Sequence, residues 1–179
     1  MKHLFALPLI CAGPAFAACP PPPDIQAAED RLLSEVRVAP NERAARELSN
    51  NLWELWTMAP DDAAQDLLDK GMQARSSFDF VLAVSSFDAL TEYCPDYAEG
   101  YNQRAFVNFL REDYEAALID LDLALERSPQ HVGALSGKAL SLIGLERQAE
   151  AQDVLRDALK LNPWLSERHL LIEPGGEDL

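Results

Sequence analysis

Beyond the first 17 residues, His131, His169, Cys19 and Cys94 are the side chains best suited to proton transfer, metal ligation or nucleophilic attack. Their surroundings do not assemble that chemistry. The cysteines form no Cys-x-x-Cys pair and have no histidine close in sequence to activate a thiolate. There is no His-Glu-x-x-His, no Gly-x-Ser-x-Gly and no glycine-rich phosphate loop. His131 falls in a loop, where a lone imidazole serves as a solvated or helix-capping group. Acidic neighbours such as Asp61-Asp62, Glu112-Asp113 and Asp120 with Asp122 fit helix starts and solvated helix faces. The expectation is a protein with no catalytic residue, no metal and no cofactor. A thiol-dependent or hydrolytic periplasmic enzyme built on Cys19 or Cys94 is the alternative.

Charge narrows the ligand classes. Thirty acidic against 15 basic residues give a net charge of -15, the wrong sign for neutralising phosphates, so no nucleic acid is expected as a partner. That surface suits solubility or a basic partner. With 179 residues, 48% hydrophobic and 25% charged, the chain reads as one folded domain.

The first residues, Met1-Lys2-His3, then an apolar run from Leu4, then Ala15-Phe16-Ala17, have the three parts of a secretory signal peptide, expected at 1–17 with cleavage after Ala17. The run is interrupted by Pro8 and Pro14 and falls short of the ~20 residues that a spanning helix needs. A proline-rich leader, 18–23, follows. The expected location is therefore the periplasm, with membrane attachment only if Cys19 is lipidated, as the lipoprotein-like Phe16-Ala17-Ala18-Cys19 allows. In an oxidising compartment Cys19 and Cys94 can instead form a disulfide, worth roughly 4 kcal/mol from loop-closure entropy, or both can stay as free thiols.

Fixed-period self-similarity organises the rest. Pro95, Pro129 and Pro163 recur at a 34-residue spacing, and so do Ala83, Ala117 and Ala151; Phe87, Leu121 and Leu155; Leu90, Ala124 and Ala158; and Gly71, Ala105 and Ala139. With small, small, large apolar, small and proline columns at this spacing, the chain resembles the tetratricopeptide repeat family. Leu67, Tyr101 and Leu135 stand at the family's Trp position, so the second half of each unit matches better than the first. The resemblance implies an all-α fold, a right-handed α-solenoid of antiparallel helical hairpins, with units at 64–97, 98–131 and 132–165. Small side chains let the two helices of a unit approach closely, and each proline ends a second helix. Helical apolar spacing over 24–60 predicts an N-terminal hairpin or degenerate repeat, read as a cap in which Trp53 and Trp56 cover the open end of the stack. A short capping helix and acidic tail are expected over 166–179.

The resemblance also implies a concave groove lined by first helices. Carried onto this sequence, its floor and walls include Met72, Arg75, Asn102, Gln103, Phe106, Phe109 and Leu140. The amides of Asn102 and Gln103 would hold a guest main chain, and Met72, Phe106, Phe109 and Leu140 would bury its side chains. The family's carboxylate clamp for acidic C-termini is not reproduced, because Leu68, Met72 and Gly133 stand where clamp residues are expected and only Asn102 fits. The expected function is a non-catalytic adaptor of the bacterial cell envelope that binds a protein or peptide during assembly or maturation of envelope complexes. The competing expectation is a groove closed by its own aromatic residues or by the chain's tail.

Overall fold

The structure, a computed structural model, describes residues 18–172. The expected signal peptide, 1–17, and the terminal acidic residues lie outside the described residues. Within them the chain is all helical, with no strand. Helices α3 (Asp62–Ser76) and α4 (Phe80–Tyr93), α5 (Ala98–Leu110) and α6 (Tyr114–Arg127), and α7 (Val132–Gly144) and α8 (Gln148–Leu161) pair as three successive hairpins, and α4 packs on α5 as α6 packs on α7. Among the described residues no helix is long and apolar enough to cross a membrane.

The repeated columns explain the pairing. Ala83, Ala105, Ala117, Ala139 and Ala151 are buried, as are Phe87, Leu121 and Leu155. At Gly71 the approach is so close that an added Cβ would lie 2.4 Å from Cε1 of Phe87. Each intra-hairpin turn places a non-glycine residue in the left-handed region, Phe78 (φ 60), Glu112 (φ 61) and Glu146 (φ 60), all in the same register. After two of them an aspartate caps the next helix: Asp79 accepts from the Leu82 amide and Asp113 from the Ala116 amide. The second helices end at Tyr93, Arg127 and Leu161, two residues ahead of Pro95, Pro129 and Pro163, as proline's exclusion of helical geometry from its predecessor requires.

Residues 24–60 form a hairpin, α1 (Gln26–Arg37) and α2 (Glu42–Trp56), but it does not cover the open end of the first unit as expected. It lies along the edge formed by the inter-unit junctions. Tyr97 donates its phenol hydrogen to the Trp56 carbonyl (2.8 Å), His131 stacks on the Trp56 ring (4.0 Å), and Leu165 packs into the cluster of Leu32, Leu33, Leu52, Trp56 and Val132. Tyr97, His131 and Leu165 stand at the same 34-residue spacing, so one column of the repeat forms the seat of the hairpin. The far end is fixed by Asn162, which donates to Ser49 Oγ (3.1 Å), and by the Arg168–Glu42 pair (3.6 Å). Burial favours this seat, where Leu52 and Trp56 are buried and Trp53 is half-buried.

Two further ties complete the body. Cys19 and Cys94 are joined by a disulfide, Cα to Cα 5.2 Å, across a separation of 75 residues, which fastens the proline-rich leader to the end of α4. In place of a capping α-helix, Ser166–Leu170 forms a 3₁₀ turn whose continuation pairs with α8: Gln152 donates to the Leu170 carbonyl (2.9 Å) and accepts from the Ile172 amide (2.7 Å).

Gly71→Ala tests the close-approach reading. A helical alanine gains about 1 kcal/mol over glycine, but driving a Cβ into a buried, close-packed ring costs more. The variant is expected to lose about 2 kcal/mol net, read as a lower urea midpoint at unchanged slope; an unchanged or raised midpoint would contradict it.

Candidate functional site

The concave side of the three hairpins carries a cleft of about 340 Å³. Arg75, Asn102, Gln103, Phe106, Phe109 and Leu140 all line it. Phe106 is the most open of the aromatic groups there, 43% exposed, and the Arg75 guanidinium lies over its ring, 4.7 Å from the centroid. Phe109 is half-buried against Tyr114. Trp53 of α2 and Leu165, Ser166 and Glu167 of the C-terminal turn form the opposing wall. The groove is therefore partly filled by the chain's own N-terminal hairpin and C-terminal turn, and the open volume is that of a side-chain pocket.

Two of the expected roles change. Met72 does not line the cleft; it packs half-buried against the core of the first hairpin, around Leu68, Phe87 and Leu90. Gln103 is 0% exposed and its amide is already engaged, accepting from Arg75 and donating to Glu99 Oε1. Asn102 likewise donates to Glu99 Oε2 (3.0 Å). Each NH₂ group gives one hydrogen to the buried carboxylate and keeps only the second, which limits what Asn102 and Gln103 can offer a guest's main chain. Leu68, another position assigned to the groove, is fully buried.

That carboxylate, Glu99, is the centre of a network that sequence spacing does not announce. Besides the two amides it meets His131 Nε2 at 2.8 Å, with Glu99 and His131 each 1% exposed. His131 Nδ1 accepts from the Ala134 amide (3.1 Å) and so caps α7, which makes Nδ1 the unprotonated nitrogen and Nε2–H the donor to Glu99. The expectation of a capping histidine is met, but in the core instead of in solvent. On its other face the imidazole stacks on Trp56, whose Nε1–H donates to Glu29 Oε1 (2.8 Å). Burial lowers the Arg75 guanidinium below the ordinary arginine range, against the opposing pull of Glu99. Burial and the nearby carboxylates push the Tyr97 phenol far up, so it stays protonated and donates. The one signal in the sequence that could have found this network is the set Glu99, Asn102 and Gln103 at i, i+3 and i+4 on one helix face.

Chemically the cleft offers apolar contact, the Arg75 cation and the Glu167 carboxylate, which accepts from the neighbouring Ser166 hydroxyl (3.0 Å). Among the described residues no cluster of three or more His, Cys, Asp or Glu side chains is placed to hold a metal.

No protein-family model matches the sequence. Two curated relatives do. A TPR repeat-containing protein of Rhizobium etli is 28% identical over 148 residues, 81% of this chain and 66% of that protein. A tetratricopeptide repeat protein 36 homolog of Nematostella vectensis is 37% identical over 70 residues, 39% of this chain and 38% of that protein. The chain thus spans about two thirds of the first relative and well under half of the second. Among solved structures, the TPR2B domain of yeast Sti1 in complex with pHsp70 aligns at TM-score 0.57 and 24% identity, over 62% of this chain and 91% of that one. The first TPR domain of Spaghetti (RPAP3), bound to the HSP90 peptide SRMEEVD, aligns at 0.58 and 20%, over 60% and 85%. The Arabidopsis OM64 TPR domain aligns at 0.59 and 22%, over 61% and 90%.

His131→Ala removes the α7 cap, about 1 kcal/mol, and takes a donor from a buried carboxylate, about 2 kcal/mol more. The variant is expected to unfold about 3 kcal/mol more easily in urea. Its tryptophan emission in water should shift to the red as the Trp56 stack opens. A loss under 1 kcal/mol with unchanged emission would remove His131 from this role.

Proposed function

We propose that this chain, which has the tetratricopeptide-repeat fold, is a non-catalytic adaptor of the bacterial cell envelope that anchors a polypeptide segment in the concave cleft during assembly or maturation of envelope complexes. The observation that carries the reading is an exposed Phe106 beside a half-buried Arg75, at the mouth of an apolar pocket walled by Trp53, Phe109 and Leu140. An open aromatic ring over an apolar pocket, with a cation at its edge, is the arrangement of an interface hot spot. The cleft, about 340 Å³, suits one or two large apolar side chains of an amphipathic segment. Structural neighbours with this fold, the Sti1 and Spaghetti domains, hold Hsp70 and HSP90 peptides.

An acidic C-terminus is not the guest we propose. Leu68 is fully buried, and Asn102 and Arg75 already donate to Glu99 and Gln103, so the donors a carboxylate clamp would draw on are held within the protein. Binding rests on apolar anchors and Arg75, and the guest's own hydrogen bonds stay with solvent or within a helix. The periplasmic location is supported by the signal-peptide pattern of the first 17 residues and by the Cys19–Cys94 disulfide, which an oxidising compartment maintains.

Photo-crosslinking from position 106 in cells is expected to capture a discrete polypeptide, while the same label on exposed Asp157 captures none in common. Phe106→Ala should weaken binding of that polypeptide at least about 30-fold, the scale of an interface hot spot. If Phe106→Glu leaves co-purification of every partner unchanged, the cleft is not the binding surface. Thiol trapping in intact cells should find Cys19 and Cys94 oxidised in a chain shortened by 17 residues. Reduced thiols on the uncut chain would refute the location.

A further inference from the structure

A second cleft, of about 320 Å³, opens where the start of α1 meets the junctions at Tyr97 and His131. It is separate from the Phe106 cleft and plays no part in the reading above. Four carboxylates line it, Asp24, Glu29, Asp96 and Glu99, together with the rings of Trp56 and Tyr97.

The two buried carboxylates differ in how far they are satisfied. Both oxygens of Glu99 are held, by Gln103, Asn102 and His131. Glu29 is only 4% exposed, yet one oxygen alone has a partner: Oε1 accepts the Trp56 indole hydrogen, and Oε2 has none among the described residues. That oxygen is not among the buried atoms left without a partner, so it faces the cleft as an accessible acceptor, and a charged donor brought by a ligand can take it.

The cations at the cleft do not fill this role. Arg127 gives its guanidinium hydrogens to the Pro95 and Leu123 carbonyls and lies over the Tyr101 ring, 4.4 Å from the centroid. His131 is neutral by its own geometry, with Nδ1 accepting from Ala134. The cleft is left with four acidic groups against one committed arginine, so its field favours a cation. An oxygen-rich shell for a hard metal ion is not present, since among the described residues no cluster is suited to one. Trp56 and Tyr97 are each more than nine-tenths buried and give the cleft a narrow apolar margin beside the carboxylate, which matches an organic ammonium whose head takes the carboxylate and whose slim methylene stem lies along that margin.

We infer that this cleft binds a primary alkylammonium group, with Glu29 Oε2 accepting its hydrogen and Trp56 and Tyr97 flanking its methylene stem. The group can come from a free diamine or from a lysine side chain of a polypeptide. A planar guanidinium is a poorer fit, because one free oxygen cannot form the two parallel bonds that make such pairs strong.

The test uses the full mature chain with its disulfide intact. Cadaverine and the peptide acetyl-Gly-Lys-Gly-amide are titrated by calorimetry, each beside its Nε-acetylated counterpart, which keeps the stem and loses the charge. At least one of the two amines should bind one to one, its acetylated counterpart at least 10-fold more weakly, and the tighter of the pair names the source. Glu29→Gln retains an acceptor for Trp56 while removing the charge, and is expected to weaken binding at least 10-fold at an unchanged melting temperature. Independently of any variant, amine binding in the wild type should shift the Trp56 indole N–H resonance. Phe106→Ala should leave the titration unaltered, so failure of the groove reading and failure of this one are told apart. Equal binding of amines and acetylated counterparts, an unmoved Trp56 resonance, or undiminished binding by folded Glu29→Gln would overturn the assignment.

Discussion

A neutral imidazole shared among three elements is the constraint on which the rest of this structure turns. His131 caps α7 through Nδ1, donates to the buried Glu99 of α5 through Nε2, and offers its ring to Trp56 of the N-terminal hairpin. A buried carboxylate needs most of its acceptor sites filled to be tolerated, and Glu99 is kept in the core by this imidazole and two side-chain amides. The same ring that satisfies it is the platform on which the hairpin sits. The helix start, the carboxylate and the docking of residues 24–60 are thus one cooperative unit, and disturbing any of them exposes the others.

This arrangement decides what kind of surface the concave side presents. Polar side chains that a peptide-binding groove would use for main-chain recognition, Asn102 and Gln103, are turned to internal duty. What remains on the surface is largely apolar, Phe106 and Leu140, with the edge of Arg75 on one side and Glu167 on the other. Affinity from such a surface comes from buried area at a few anchors, and it discriminates weakly between guests that share an apolar face. Selectivity must come from the shape set by Trp53 and by the Leu165–Glu167 turn, which narrow the groove to a pocket.

The repeat was legible because the constraints behind it are local and periodic. A small residue opposite a large one, as Gly71 opposite Phe87, and a proline after each second helix are required in every unit by the contact within that unit or with the next. The seat of the hairpin was not legible for the opposite reason. Tyr97, His131 and Leu165 share a register, but a phenol, an imidazole and an aliphatic chain look like no column at all. They are alike only in touching an element far away in sequence, and such contacts impose no common residue type. Phe78, Glu112 and Glu146 show the same limit: a shared left-handed backbone lies beneath three unlike side chains, with none of the glycines that usually mark it. Glu99 is signalled only by Asn102 and Gln103 three and four positions on, a helical spacing that does not by itself say that the face is buried.

The hairpin is held at both ends, and that fixes how the concave cleft responds to a guest. Its C-terminal end continues directly into α3 through the Met58–Pro60 link, and its N-terminal end is fastened to α4 by Cys19–Cys94. Docking is then an intramolecular event between segments already brought together, so little further chain entropy opposes it. Trp53 is correspondingly a preorganised wall: a guest that fits beside it incurs no ordering cost there, and a bulkier one must displace a hairpin that also holds the Trp56–His131 stack and the Asn162–Ser49 bond. Loss of that stack would in turn unsettle Glu99. The cleft therefore selects for apolar anchors that fit beside its wall, by the cost of moving that wall, and that cost is set at His131, outside the cleft itself.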